Sequence, residues 1–496
     1  MDILNWATSY NRKTAYNGKA LMYIDGNWES SKSDSWFGVI NPATESEFIQ
    51  VPNGNSDDCA EAIQAAQNAL PNWSNLPGSV RGEYLFSIAA ELKKAKRALG
   101  RLITLEQGKP LSQSIWEVEY SIQYLRWYAE EASRLNGYII QSQIPGRRHY
   151  VVYNPIGVVG IITPWNLPCA MVIRKMAASL AAGCTIIIKP SELTPATSIA
   201  LAQFAESVKL PSGVFNVITG NPVAIAEEFF RNYLVRLVSF TGSREVGKNL
   251  IRQSSNNNIK LSLQMGGHAP FIVLEDCDLN KVLQDIIINK FRSTGQSCLS
   301  ANRLYVHESI ADIFCEKLLD KIMKLKIGDG LDSETDMGPL INKEAVLKVH
   351  DHVTDAVAKG AKLLCGGFLP SKSEYPFGFF YPPTILWNVN RGMKIYNEET
   401  FGPVLPVAAF HDEEAVIIEA NSSRYGLAAY IYTENWKKGL KIAERLEYGA
   451  VGLNEPVPTA PQAPFGGIKE SGIGREGGRE GLLEFLEPKL ITISDS

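Results

Sequence analysis

Between residues 156 and 265, short apolar runs alternate with helical stretches, and this alternation restricts the fold more than any other feature. The runs at 158–162, 185–189, 214–218 and 237–240 read as strands, with helices at 168–183, 195–208, 222–231 and 243–253 between and after them. Short strands separated by helices predict an α/β fold with a doubly wound parallel sheet. Such a sheet places ligands at the carboxyl ends of its strands. Trp165-Asn166, Lys189-Pro190, Gly220 and Thr241-Gly242-Ser243 follow those ends.

A second alternating region runs from about 267 to 460, with strands expected at 271–274, 304–306, 384–386 and 428–432. Ahead of both regions lie helical patterns at 57–73, 79–107 and 111–135. Residues 137–153, broken by Pro145-Gly146, read as a β-hairpin-like excursion, and the tail 489–494 reads as a strand with no local partner.

A chain of 496 residues is too long for one compact core, so two or three domains are expected. Hydrophobic content of 45% and charged content of 21% fit a soluble globular protein. The net charge of −4 gives no reason to invoke nucleic acid or an anionic membrane, and basic residues such as Lys93, Lys94, Lys96 and Arg97 read as a solvated helix face. No secretory signal or membrane-spanning run is visible. The seven cysteines are scattered and form no CxxC, which points to reduced thiols and a cytoplasmic location. No metal site is expected, since HExxH is absent and His350 and His352 face different sides of a helix. Gly472 to Gly477 is formally GxGxxG but lacks the preceding strand and βαβ unit of a dinucleotide fingerprint; it reads as a loop over the active site or a subunit contact.

Cys298 is the chief candidate for chemistry. It follows a Gly295-Gln296 turn between a helical stretch and a strand, where a sulfur can point into a cleft. A thiolate attacks carbonyl carbon readily. The competing reading is a small buried hydrophobe. Attack on an aldehyde makes an oxyanion, which needs preplaced donors. Asn166, at a strand-to-helix turn, can supply one, although its spacing suits a helix N-cap better. Phe240 to Gly247 is a strand ending in glycine that opens a helix, and helix N-terminal amides suit a pyrophosphate.

The run from Phe291 to Arg303, F-x-x-x-G-Q-x-C-x-x-x-x-R, resembles the active-site signature of the aldehyde dehydrogenase superfamily. Six further segments match in order: Thr163-Pro-Trp-Asn166, Lys189-Pro-Ser-Glu192, Phe240-Thr-Gly-Ser243, Gly266-Gly267, Glu399-Thr-Phe-Gly-Pro403 and Pro464-Phe-Gly-Gly467. The resemblance extends from Asn41 to Phe485. It implies a Rossmann-type NAD-binding domain from 1–136 and 155–265, a second α/β catalytic domain from 266–470, and a small β oligomerisation element from 137–154 and 471–496 that makes a homodimer or homotetramer.

The resemblance also implies roles. Cys298 is the nucleophile and Asn166 belongs to the oxyanion hole. Thr163, Trp165, Lys189, Glu192, Gly220, Gly242, Ser243, Gly247, Glu399 and Phe401 hold the cofactor. A carboxylate at Glu192 accepts both ribose hydroxyls and repels a 2′-phosphate, which argues for NAD over NADP. The thiohemiacetal on Cys298 expels hydride to an oxidised nicotinamide.

Arg174, Arg292 and Thr459 most resemble the succinate-semialdehyde branch, so the expected substrate is a small anionic aldehyde, held by the two arginines. For each arginine a structural ion pair is the alternative. The departure is Gln264, which stands where the family carries a general-base Glu; an amide cannot take a proton from water. Three explanations stay open: an engineered substitution, another base, or another acyl acceptor. Acylation would need no base if nearby lysines or helix ends kept Cys298 as a thiolate. The competing functions are a dehydrogenase that passes its acyl group to coenzyme A and an NAD-binding protein without turnover.

Overall fold

The computed structural model describes residues 18–494. The segment 1–17, read above as lacking a secretory signal, lies outside them. Among the described residues no helix is long and apolar enough to cross a membrane.

The expected alternation folds as a parallel sheet. Val158–Ile162 lies at its centre, flanked on one side by Thr185–Lys189 and Phe215–Val217, and on the other by Val235–Thr241 and Lys260–Gln264. Sequence order therefore reverses between Val158–Ile162 and Val235–Thr241, and a crevice opens there at the carboxyl ends. The strands are buried on both faces, as a doubly wound sheet requires. Helices Ala170–Ala182 and Ala196–Ser207 pack on one face, with Ser56–Ser74 and Pro222–Arg231 on the other. Gly160 lets the Phe229 ring lie directly on the central strand, where a Cβ would meet it at 2.9 Å.

Antiparallel strands extend both edges of this sheet. Met22–Ile24 and Asn27–Glu29 close one edge, and the short strand Gly472–Ile473 pairs with Leu263 and Gln264 at the other. The GxGxxG segment thus returns to the first sheet. Of the segment 471–496, only Leu486–Ser494 joins the hairpin of Tyr138–Gln141 and Arg147–Pro155, forming a three-stranded antiparallel sheet. That sheet supplies the partner the tail lacks locally.

The second region forms a seven-stranded sheet in the order Lys362–Cys365, Thr384–Trp387, Val404–Phe410, Ala301–His307, Ala269–Val273, Ala428–Tyr432, Ala450–Leu453. All pairings but the first are parallel. Helix Leu279–Phe291 leads into the loop bearing Cys298, immediately before the strand Ala301–His307. The carboxyl end of the first sheet, at Gln264, continues within five residues into the second, at Ala269.

Candidate active site

The loop before Cys298 is held in an unusual backbone conformation. Ser293 and Thr294 have φ of 50° and 58°, and Gly295 follows at 71°. Two consecutive non-glycine residues there are strained and need outside support. The Ser293 N–H donates to Gln113 Oε1 at 2.7 Å, Thr294 Oγ1 to the Gly338 carbonyl at 2.9 Å, and the Ile341 N–H to Gln296 Oε1 at 2.9 Å. On the far side, Asn289 Oδ1 accepts from the Ala301 N–H at 2.7 Å and Tyr430 donates to the Leu299 carbonyl at 2.7 Å. Cys298 itself is partly accessible.

Asn166 lies ahead of the helix that carries Arg174. The helix starts at Ala170, and its N-cap position, Cys169, makes no side-chain cap. Asn166 is no cap either: its buried amide donates to the Gln296 carbonyl at 3.0 Å, two residues from Cys298. This leaves the second Nδ2 hydrogen for another acceptor.

Burial pushes the Cys298 thiol up to about 12; the Glu399 carboxylate adds to this and Arg174 opposes it. Burial and the nearby Glu399 carboxylate thus favour the neutral thiol, against the condition, a ready-made thiolate, under which acylation would need no base. Glu399 is also displaced, to about 7, by burial, against the pull of the Gly267 N–H on its Oε1 at 3.0 Å.

Gln264 is buried and held from both ends. Its Oε1 accepts from the Gly467 N–H at 3.3 Å and its Nε2 donates to the Gly474 carbonyl at 3.5 Å. A carboxylate could replace only the first contact.

The proposed cofactor residues collect at the strand ends of the first sheet. Thr163 Oγ1 is buried without a partner, and the Thr163 N–H reaches the Lys189 carbonyl at 3.2 Å. Lys189 is buried rather than a surface lysine, and its Nζ lies 3.2 Å from Glu192 Oε2. The Gly242 N–H donates to the Gln264 carbonyl at 3.1 Å, and Ser243 caps helix Arg244–Ser254 through the Val246 N–H. Gly220 has φ of +125°, and a Cβ there would strike the Gly54 backbone; one on Gly247 would strike the Met265 sulfur. Phe401, with φ of 57°, sets its ring edge-on to Trp165 at 5.4 Å. An orphan hydroxyl, a capped helix start, a lysine–glutamate pair and close-packed glycines along one crevice suit a dinucleotide.

The candidate substrate residues divide. Arg292 and Thr459 line one cavity of about 490 Å³, together with Trp116 and Tyr120. The Arg292 guanidinium stacks on Trp116 at 4.3 Å, and Tyr120 donates to Thr459 Oγ1 at 3.0 Å. Arg174 lies deeper, between the rings of Tyr124 and Phe465, with its Nε 3.4 Å from Glu476 Oε2. It thus has the ion pair that was the alternative reading, yet its Nη2 has no partner. Lys175 also pairs with Glu476. Burial would raise the Glu476 carboxyl, but Lys175 and Arg174 outweigh it and hold it below the ordinary range.

The model of the aldehyde dehydrogenase family matches residues 28–491. The chain belongs to the aldehyde dehydrogenase family. It is 44% identical to the succinate-semialdehyde dehydrogenase [NADP(+)] of Escherichia coli, over 97% of this chain and 99% of that protein. It is 43% identical to a glutarate-semialdehyde dehydrogenase of Pseudomonas putida, over 95% of this chain and 97% of the other. The crystal structure of a Staphylococcus aureus betaine aldehyde dehydrogenase in complex with NAD+ superposes with a TM-score of 0.95 at 35% identity, covering all of this chain and 97% of the other.

In this aldehyde dehydrogenase the residues around the candidate site include several that no motif marks. Tyr120, Tyr124, Lys175 and Glu476 surround Arg174 and Thr459, and Lys109, Gln113 and Glu117 reach both active-site loops. The one local signal is Gly108-Lys109-Pro110, a lysine at a break between two long helices.

The thiol's displacement has a measurable consequence. Its thiolate fraction is expected to rise tenfold per pH unit until pH nears about 12. Alkylation of cofactor-free enzyme by iodoacetamide, followed at the Cys298 peptide by mass, should therefore accelerate with unit slope from about pH 7 to pH 10. A plateau below that range would show a thiolate already formed at neutral pH.

Proposed function

We propose that this aldehyde dehydrogenase oxidises a short aldehyde carrying an anionic group, with succinate semialdehyde the first candidate, and that it uses NAD. The observation that carries the substrate reading is the shared cavity of Arg292 and Thr459 beside the nucleophile loop. A guanidinium stacked on Trp116 is desolvated on one face and still offers paired in-plane donors to a carboxylate along its edge. The Thr459 hydroxyl, accepting from Tyr120, keeps its own hydrogen free for the same group. The semialdehyde substrates in the names of the relatives fit this chemistry.

Cys298 attacks the aldehyde carbon: the sulfur–carbon bond forms as the carbonyl π bond breaks, and the thiol proton leaves to solvent from the partly accessible sulfur. Asn166 Nδ2 donates to the developing oxyanion. Gly242, Ser243 and the start of helix Arg244–Ser254 hold the pyrophosphate, Lys189 and Glu192 the adenosine ribose, and Glu399 and Phe401 the nicotinamide end. When bound, the nicotinamide supplies the hydride acceptor that makes oxidation to a thioester possible. Gln264 orients the water that releases the acid but cannot deprotonate it. The exposed apolar residues of the three-stranded sheet, Ile139 at 68% and Leu490 at 60%, support a homo-oligomer built on that sheet. The free cysteines support a cytoplasmic location.

Three measurements test these assignments. Arg292→Leu should lower kcat/KM for succinate semialdehyde by the equivalent of about 2–5 kcal/mol and leave butanal nearly unaffected. Equal losses on both substrates would remove Arg292 from substrate recognition.

NAD should be preferred over NADP, because Glu192 is the partner of Lys189 at the ribose position. Glu192→Ser should move the kcat/KM ratio toward NADP; a native preference for NADP would show that Glu192 faces elsewhere.

Rapid mixing should give an NADH burst near one per site, then slow turnover with a thioester on Cys298 detectable by intact mass. Gln264→Glu should speed the steady state, a general base contributing typically about 10²–10⁴-fold, with the burst amplitude unchanged. Fast native turnover that requires coenzyme A would instead favour the second reading, a thiol acyl acceptor, which the amide at Gln264 also suits.

A further inference from the structure

Lys109 and Glu117 form an ion pair of 2.6 Å with side-chain exposures of 1% and 0%. Lys109 lies at the break between helices Gly78–Gln107 and Leu111–Glu131, and Glu117 lies within the second. Removing two charges this completely from water is costly, and an apolar pair of similar volume would fill the space without that cost. The pair makes further contacts that an apolar pair could not. Lys109 Nζ donates to the Asn166 backbone carbonyl at 2.8 Å. Glu117 Oε1 accepts from the N–H groups of Cys169 and Ala170 at 2.8 and 3.0 Å. One ion pair thus grips the Asn166 turn at its middle and at its end. Gln113, one helical turn before Glu117, holds Ser293 of the nucleophile loop and donates to the Asp336 carbonyl at 3.1 Å. The start of this helix therefore references both reacting loops to one rigid element.

We propose that Lys109 and Glu117 are positioning residues that set the place of the Asn166 amide relative to Cys298. The proposal rests on the reading of Asn166 as the oxyanion donor. Among the described residues the one side-chain hydrogen bond of Asn166 is to the Gln296 carbonyl, so its amide depends on where its backbone is held. A displacement of about 1 Å at such a group can cost around 10²-fold in rate.

The test is a double-mutant cycle on the full-length enzyme with four readouts: kcat and KM for NADH formation from succinate semialdehyde, NADH binding by fluorescence, and the rate of Cys298 alkylation by iodoacetamide. Alkylation needs the sulfur but no oxyanion, so it separates misplacement of Asn166 from damage to the nucleophile loop. Asn166→Ala should lower kcat by about 10²–10³-fold. Lys109→Met should lower it by about 10–10²-fold, with KM, NADH binding and alkylation within about twofold of native. Lys109→Met/Asn166→Ala should be no slower than Asn166→Ala alone, because the amide being positioned is gone. Glu117→Gln should follow the same pattern and is the second variant if Lys109→Met does not fold.

A native kcat in Lys109→Met, losses that multiply in the double variant, or alkylation that falls in step with kcat would each overturn the proposal. Failure of both Lys109→Met and Glu117→Gln to yield protein that binds NADH would make the pair a folding element and overturn it as well. Full activity in Asn166→Ala would instead overturn the oxyanion reading, a result distinguishable from the others.

Discussion

The hydrogen bond from Asn166 Nδ2 to the Gln296 carbonyl joins the two parallel sheets where both present their chemistry. Asn166 comes from the carboxyl end of Val158–Ile162 at the centre of the first sheet; Gln296 belongs to the loop that feeds a strand of the second. Parallel sheets gather loops at one end, so a crevice between two such ends can draw residues from many distant positions. The cost is precision, since each loop alone is free to shift. Here the freedom is removed by polar contacts across the crevice: Gln113 to Ser293, Glu399 to Gly267, and Gln264 to Gly467.

Those contacts also set the electrostatics. Cys298 keeps part of its surface accessible, yet burial of the thiol and the nearby Glu399 both favour its neutral form. Donors placed for an oxyanion act more strongly where the surroundings are of low dielectric. Gln264 lies in such surroundings, buried and without a carboxylate. Its amide satisfies one donor and one acceptor of the 465–474 segment, so this position carries structural bonds. A substitution to Glu exchanges a donated hydrogen bond for a charge facing the Gly474 carbonyl.

Much of this was legible in the sequence, and the limits have physical causes. Helices and buried parallel strands announce themselves through apolar runs, and the central strands and their helices are found where the alternation predicts them. Lys260–Gln264 is not among the predicted strands, because Lys260-Leu-Ser-Leu-Gln264 offers only two apolar residues. Val404–Phe410 contains Pro406, which argues against a strand when read locally; its parallel register opposite Leu386 tolerates the missing N–H. Cys298 and Asn166 could be singled out from the sequence because their motifs are contiguous. The Asn166 N-cap reading failed because spacing shows where a polar side chain could reach, not which acceptor is nearer after folding. Lys109 and Glu117 act 57 and 52 residues away along the chain, and no local pattern encodes that.

Two helices beside the crevice illustrate why the distant partners are needed. Ala170–Ala182 begins at Cys169 and Ala196–Ser207 at Pro195, and neither position supplies a side-chain cap. Both are capped from outside. Glu117 accepts from Cys169 and Ala170, and Glu106 accepts from Ala196 at 2.8 Å and Thr197 at 3.0 Å. A helix start buried without such partners would leave its first N–H groups unsatisfied. Each acid also lies at a helix start, where the dipole favours negative charge, although burial still pushes the Glu106 carboxyl up to about 8. A local cap would have required a side chain of the preceding turn to fold back onto its own helix. Capping from a neighbouring helix leaves the turn before Ala170 free to direct Trp165 and Asn166 into the crevice. Glu117 thus reconciles two demands on one short segment, closing a helix and leaving the Asn166 amide to reach the Gln296 carbonyl.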